Sequence, residues 1–148
     1  MPYDYPVGNV DFGMAARRHY ADAEYLQADF RTANAGQLYG FAVECSLKWL
    51  LMRLNYDKIS DIHIPSNIKL HVDKLAMLIA QQSVTFTGPN AARYSALAAP
   101  VVANIQGWMT DHRYCDAAVL PVAFARWQEA AKGAMSLMDA ATVDGVPK

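Results

Sequence analysis

The sequence predicts an all-α fold, an up-and-down bundle of four to five helices in a single domain. Alanine is the commonest residue, and alanine has the highest helix propensity. Apolar residues recur at helical spacing, and nowhere do β-branched residues alternate with polar ones over the length of a strand. The 148 residues suit one domain with one continuous core.

The first two helices are predicted from their apolar patterns. The first runs from Gly13 to about Phe30, with Ala16, Ala23 and Phe30 among the residues that mark its inner face. Asn34 is a suitable N-cap for the second helix, which extends to about Leu54. This second helix is nearly apolar on all sides, so we expect it at the centre of the bundle.

The other three helices are shorter or are marked by proline. The third spans roughly Lys69 to Gln82, with leucines facing inward, after a polar loop over residues 55–68. The fourth covers about Asn90 to Gln106 and contains Pro100, which is expected to kink it. The last starts near Pro121, because proline suits a first helical turn, and ends near residue 141. We expect residues 1–12 to form a surface arm, 13–141 the bundle and 142–148 a frayed tail.

Composition and charge exclude several classes of protein. Hydrophobic residues make up 53% and charged residues 18% of the chain, which is more apolar than usual and predicts that some apolar surface is buried in an oligomer. The net charge of −1 excludes a generally basic nucleic-acid coat. No apolar stretch reaches the ~20 residues needed to cross a bilayer, and the N-terminus lacks a secretory pattern. We therefore expect a cytoplasmic protein without a membrane contact.

The sequence contains no motif for a metal or a cofactor. Its two cysteines and four histidines lack the spacing of metal ligands, and the glycines form neither a dinucleotide fingerprint nor a P-loop. With Cys45 in a helical pattern and Cys115 in a polar loop, a structural disulfide is not expected. No cofactor and no metal are predicted.

The loop after the fourth helix is the segment richest in side chains that can bind a ligand. Within residues 108–116 lie six of them: Trp108, Asp111, His112, Arg113, Tyr114 and Asp116. Such a loop can present the guanidinium of Arg113 to a phosphate and an aromatic ring to a base. The alternative is structural: Trp108 and Tyr114 would pin the loop to the core, and Arg113 would pair with a neighbouring aspartate.

A second candidate cluster comes from the buried second helix. Glu44 and Lys48 are spaced i,i+4 on a mostly apolar helix, so they either pair with each other or face a cleft. His71 opens the third helix, where a lone histidine is a packing residue more often than a catalyst. Arg113 reaching Glu44 across the bundle would join the two clusters into one site.

Several segments together resemble the HEPN superfamily of small bacterial helical bundles. RRHYADAEYLQADF followed by NAGQLYGFAVECSLKWLL is similar to its opening hairpin, with Glu44 before a Leu-Lys-x-Leu-Leu segment. His71 and Leu75 are similar to the His-x-x-x-Leu start of the family's third helix, and Arg113-Tyr114-Cys115-Asp116 resembles its Arg-Tyr-Pro-Asp loop. The resemblance covers about residues 14–140.

The resemblance implies a dimeric bundle whose groove binds a nucleotide or RNA, often within toxin–antitoxin or defence systems. Many members are metal-independent ribonucleases that use an Arg-x(4–6)-His motif. No arginine of this chain is followed by a histidine at that spacing, and His112 precedes Arg113.

Three functions therefore remain open. In the leading one, Arg113 and Lys48 meet phosphate, Tyr114 or Trp108 stacks on a base, and Glu44 and His71 orient the site. The list of predicted ligand-binding residues is Glu44, Lys48, His71, Trp108, Asp111, Arg113 and Tyr114. The second is a ribonuclease with a non-standard site, in which His112 or His71 acts as acid or base and Arg113 stabilises charge. The third is an interaction module that partners a nucleotidyltransferase-like protein.

Overall fold

A computed structural model describes residues 10–55, 70–82, 84–115 and 124–146. Within these ranges the chain forms five α-helices, one 3₁₀-helix and no strand, which confirms the predicted all-α bundle. The elements, in chain order, are α1 (Phe12–Ala28), α2 (Thr32–Asn55), α3 (Val72–Ala80), α4 (Ala91–Asn104), the 3₁₀-helix (Thr110–Tyr114) and α5 (Phe124–Val143). Of the arm predicted over residues 1–12, residues 1–9 lie outside the described residues, as does the predicted helix start at Pro121. The end of the predicted arm is wrong, because Asp11 caps α1 and Phe12 is its first residue.

Helices α1 and α2 form a hairpin joined by a very short connection. The side chain of Asp11 accepts a hydrogen bond from the amide of Met14 and caps the start of α1. At the other end Phe30 has φ +59°, and the amides of Phe30 and Arg31 donate to the carbonyls of Gln27 and Leu26. This is a Schellman motif, which reverses the chain within a few residues.

The Schellman motif corrects two details of the sequence prediction. Phe30 is 90% exposed rather than on the inner face of α1, because its left-handed backbone ends the helix before that position. Asn34 does not cap α2, which already begins at Thr32. The connection between the two helices is therefore tighter than the polar run around residues 32–34 suggests.

Helix α2 lies at the centre of the bundle, as its uniformly apolar sequence predicts. It packs along α1 and α5 and also contacts α3 and the 3₁₀-helix. Nearly every residue from Ala35 to Leu51 is buried or half-buried. The largest fully buried side chains of the core are Trp108, Trp127, Tyr39, Tyr94, Leu47, Leu50, Leu51, Leu75, Ile105, Leu137 and Val43. One core therefore joins all the described helices.

The last three helices differ from their predicted bounds mainly at their ends. Helix α3 has nine residues and starts at Val72 rather than Lys69, so His71 is its N-cap residue. Pro100 lies inside α4, which continues through it to Asn104. Helix α5 runs beyond residue 141 to Val143, and Asp144 then bonds to Arg93 and Tyr94. The start of the predicted tail is thus held against α4.

Two further observations concern the apolarity of the helices and the state of the two cysteines. No helix in the described ranges is long and apolar enough to cross a membrane. Cys45 is buried and Cys115 is exposed, and both thiols are free. Burial raises the pKa of the Cys45 thiol to about 12, so this residue belongs to the core.

Candidate functional site

The carboxylate of Glu44 is the centre of a small polar cluster between α2 and the start of α3. Its Oε2 accepts a hydrogen bond from Nζ of Lys48 at 3.2 Å, and its Oε1 lies 3.0 Å from Nδ1 of His71. Glu44 and Lys48 are both buried, and Nζ of Lys48 also lies 5.7 Å above the ring of Phe12. Each buried charge therefore has a partner, as a charge inside a protein requires.

The contact with Glu44 fixes the orientation of the His71 ring. An ionised carboxylate can only accept hydrogen bonds, so Nδ1 of His71 must carry the proton and donate it. In the neutral imidazole Nε2 is then the basic nitrogen. The side chain of His71 is 57% exposed, whereas Glu44 behind it is buried. The cluster thus presents one imidazole at the surface, positioned from the core.

The loop of the other candidate cluster is held against α2 by Trp108. The indole Nε1 of Trp108 donates to the carbonyl of Gly36 at 3.0 Å. A Cβ at Gly40 would lie 2.0 Å from the same ring, so only glycine leaves room for it. Nε2 of Gln37 adds a hydrogen bond of 3.2 Å to the carbonyl of Met109. Three positions of α2 therefore fix where the 3₁₀-helix begins.

Aromatic rings connect this loop to His71. Phe41 packs edge-on against Trp108, with ring centroids 5.5 Å apart. The same Phe41 lies 6.5 Å from the ring of His71 and 5.7 Å from that of His19. The loop that Trp108 anchors and the start of α3 therefore pack against the same stretch of α2, where they form two facing walls.

Between these walls runs a groove of about 500 Å³. Its lining residues are Leu70, His71, Asp73 and Lys74 from the α3 side, and Met109, Thr110, Asp111 and Arg113 from the 3₁₀-helix. Within the described part of the chain, none of the four fully charged side chains of this lining has an ion-pair partner within 4.0 Å. The guanidinium of Arg113 instead lies 4.7 Å from the ring of Tyr114.

The groove brings together three of the seven ligand-binding residues predicted from the sequence, His71, Asp111 and Arg113. Glu44 is connected to the groove through His71, and Lys48 through Glu44. The contact proposed between Arg113 and Glu44 is not formed. The second oxygen of Glu44 is used by His71 instead, so the two clusters meet through the groove and not through a salt bridge.

Three of the candidate residues, Trp108, His112 and Tyr114, do not line the groove. Trp108 is 1% exposed and has no ring face for a base, so its role is to pin the loop. His112 does not line the groove: it is half-buried and stacks on Trp127, with ring centroids 5.4 Å apart. Tyr114, by contrast, is 75% exposed next to Arg113, which leaves it as the aromatic ring available to a ligand.

Some residues of the site were missed by the sequence analysis. Lys74 was not singled out from the sequence, but it is exposed and lines the groove. The sequence also did not reveal the part of α2 against which the loop packs, which is formed by Gly36, Gln37 and Gly40. The two glycines are four residues apart on a buried helix, and that spacing is the signal that could have indicated a close approach of another segment.

The groove lining combines cationic and anionic side chains. No group of three or more histidine, cysteine, aspartate or glutamate side chains that could hold a metal ion occurs in the parts of the chain that the structure describes. The groove offers one guanidinium, one ammonium and one imidazole, next to two carboxylates. Comparisons with protein-family models, with characterised proteins and with solved structures give no match for this chain.

Proposed function

We propose that the groove between α3 and the 3₁₀-helix binds the phosphate of a nucleotide or of an RNA segment. The observation that carries the proposal is the convergence of Arg113, Lys74 and His71 on one groove, where neither Arg113 nor Lys74 forms an ion pair with a carboxylate of the residues that the structure describes. A guanidinium and an ammonium without such an ion pair are suited to an anionic ligand.

Each wall would contribute a different part of the recognition. Arg113 can bind two phosphate oxygens through its planar fork, and Lys74 adds a point charge from the opposite wall. Tyr114 lies beside Arg113 and outside the groove lining, and the face of its exposed ring that Arg113 leaves open would stack on a base. The carboxylates of Asp73 and Asp111 can accept hydrogen bonds from sugar hydroxyls or from base amino groups. Lys48 is buried and paired, so it would support Glu44 and not meet phosphate.

The resemblance to HEPN proteins supports the same ligand class. It would also place the protein in the cytoplasm, as a homodimer in a toxin–antitoxin or defence-type system, with a nucleotidyltransferase-like protein as a possible partner. These wider roles are proposals that the groove does not depend on.

Fluorescence anisotropy with labelled nucleotides and short RNAs tests the binding proposal. We expect wild-type protein to bind, and Arg113→Ala to weaken binding by about tenfold or more, because one charge-assisted contact contributes roughly 1.5–3 kcal/mol. Arg126→Ala is the matched control, since Arg126 is exposed on α5 away from the groove. Equal binding by the two variants would refute the assignment, and no binding by wild type would favour a protein-interaction module.

The Glu44–His71 contact favours a second candidate function, a metal-independent ribonuclease. A histidine oriented by a carboxylate through Nδ1 has Nε2 available as a general base or acid, and Arg113 can stabilise charge on the phosphate. His71 is the better candidate than His112, which is engaged by Trp127. RNA cleavage that is lost in His71→Gln but kept in His112→Gln would establish it; cleavage lost in neither variant would exclude it.

A further inference from the structure

Helix α1 carries two large apolar side chains on the side opposite to the one that packs on α2. Its inner face is formed by Ala16 and Ala23, which are buried, with Tyr20 half-buried between them. A helix on the surface of a bundle needs only one such face, and the opposite side is normally polar. Here the opposite side carries Met14, which is 71% exposed, and Tyr25, which is 76% exposed.

The exposed side of α1 follows the spacing of a coiled-coil seam. Met14, Arg18, Ala21 and Tyr25 are separated by four, three and four residues, and all four are exposed. This spacing keeps the four side chains on one stripe along the helix. We call this set the α1 seam. Among the described residues it places two of the most exposed large apolar side chains on one line.

We propose that the α1 seam is the interface through which two copies of this chain pair, antiparallel, about a two-fold axis that passes between Arg18 and Ala21. When two antiparallel helices with this spacing pack together, their seam residues form successive layers. Each layer pairs one kind of seam position from one helix with the other kind from its partner. In the register set by that axis, Met14 of one copy faces Tyr25 of the other, and Arg18 faces Ala21. The seam is therefore complementary to a second copy of itself.

The chemistry of the seam is complementary to itself in this register. A methionine thioether and an aromatic ring attract each other, so each end of the seam would hold one Met14–Tyr25 contact. Beside each Arg18–Ala21 layer lies the exposed Asp22 of the other copy. The guanidinium of Arg18 would then pair with that carboxylate, and two such pairs would flank the axis. The small side chain of Ala21 allows the backbones to approach closely.

The size of the seam sets the expected strength of the dimer. Helix α1 has 17 residues and is therefore about 25 Å long. One helix face of that length buries less than the ~800 Å² per partner of a standard stable interface. We therefore expect a dimer that dissociates in the micromolar range. This proposal does not depend on what the groove binds, since α1 contributes no residue to the groove lining.

Sedimentation velocity over micromolar to millimolar protein concentration tests the proposal. We expect the average mass of the wild type to rise from the monomer value of 16.3 kDa toward twice that value. Tyr25→Glu should weaken association by at least about tenfold, because it puts a charge into the seam. Tyr114→Glu is the matched control, since Tyr114 is as exposed as Tyr25 but lies on the 3₁₀-helix. Circular dichroism checks that both variants are folded.

A charge exchange tests the register separately. Arg18→Asp should weaken association, and adding Asp22→Arg to it should restore association, because the ion pair between copies is then re-formed with its signs reversed. A wild type that stays monomeric throughout would overturn the proposal. So would equal association of Tyr25→Glu and Tyr114→Glu, while failure of the charge exchange would overturn the antiparallel register.

Discussion

A single carboxylate connects the interior of this protein to its surface groove. One oxygen of Glu44 holds the buried ammonium of Lys48, and the other holds the imidazole of His71. Removing the carboxylate would therefore have two separate effects. It would leave a charge unpaired in the core, and it would free the His71 ring to rotate.

The first prediction concerns the free energy of unfolding. Glu44→Ala should lower it by about 3–5 kcal/mol, the usual cost of leaving one member of a buried ion pair without its partner. Lys48→Met combined with Glu44→Ala should lower it by much less than the sum of the two single changes, because no buried charge is left. Urea unfolding of the four proteins checks this, and strict additivity would contradict it.

Phe30 has a backbone conformation that is unfavourable for its residue type at the end of α1. Its φ of +59° is left-handed, and Gly145 occupies the equivalent position after α5 with φ +85°. A side chain in that region costs roughly 1–2 kcal/mol, which glycine avoids. The protein therefore uses the favourable residue at one helix end and an unfavourable residue at the other.

The second prediction compares these two positions. Phe30→Gly should raise the free energy of unfolding by about 0.5–1 kcal/mol, since Phe30 is exposed and little packing is lost. Gly145→Ala should lower it by about 1 kcal/mol for the opposite reason. Thermal unfolding of both variants measures the two shifts. A loss of stability in Phe30→Gly would show that Phe30 makes a contact that offsets its backbone strain.

At the scale of elements, the groove depends on the packing of Trp108 against α2. Two glycines and one glutamine of α2 receive the loop, and the loop supplies one of the two groove walls. The wall that carries Arg113 is therefore positioned by a helix that contributes no side chain to the groove lining.

The third prediction is a test of that packing. Gly40→Ala should destabilise the protein by about 1–3 kcal/mol, the range for a side chain added to a packed core, and should increase the solvent exposure of Trp108. Gly133→Ala is the control, because its added Cβ would meet only a methyl of Val101, at 2.9 Å. Quenching of tryptophan fluorescence by acrylamide reports the summed exposure of Trp49, Trp108 and Trp127, which are all buried in the wild type, so the increase in Gly40→Ala is compared with that in Gly133→Ala. Unchanged quenching in Gly40→Ala would contradict the predicted displacement of Trp108.

The contact between α1 and α2 includes a histidine that makes the hairpin sensitive to acid. His19 packs against Phe41. Burial lowers the pKa of His19, and the neighbouring Arg18 lowers it further, while Asp22 and Glu44 act in the opposite direction. The neutral form is thus favoured in the folded state. Its contribution to stability is complete above about pH 6.5 and is lost as the pH falls through the folded-state pKa.

The fourth prediction follows from this direction. The free energy of unfolding should decrease between pH 7 and about pH 5.5, and His19→Phe should make that decrease smaller, because phenylalanine keeps the ring packing but cannot be protonated. Urea unfolding at several pH values measures both slopes. Equal slopes in the two proteins would assign the acid sensitivity to other groups.

At the scale of the whole molecule, the sequence predicts the individual helices better than it predicts the contacts between them. The central position of α2 follows from its apolar residues on all sides, and the hairpin of α1 and α2 follows from the short break between them. These are local patterns. The convergence of His71 and Arg113 enters the sequence analysis only as a hypothesis. Local patterns cannot establish it, because it depends on how Trp108 fits onto Gly40, which is a match of shapes between distant parts of the chain.

The same limit applies to two candidates that do not line the groove. Trp108 and His112 lie within the segment that is richest in reactive side chains, and nothing in their neighbours along the chain separates them from Arg113 or Tyr114. Only the packing shows that Trp108 is used up by the core and His112 by Trp127. Charged residues on α2 were easier to interpret, because a charge on a buried helix must find a partner.

The central place of α2 also has a consequence for amide hydrogen exchange. Because α2 packs against α1, α3, α5 and the 3₁₀-helix, its amides can open only when most of the bundle opens with them, and they should exchange at the rate of global unfolding. The nine residues of α3 are held less extensively and can open locally. One wall of the groove would then fluctuate on its own, while the helix beneath it stays closed.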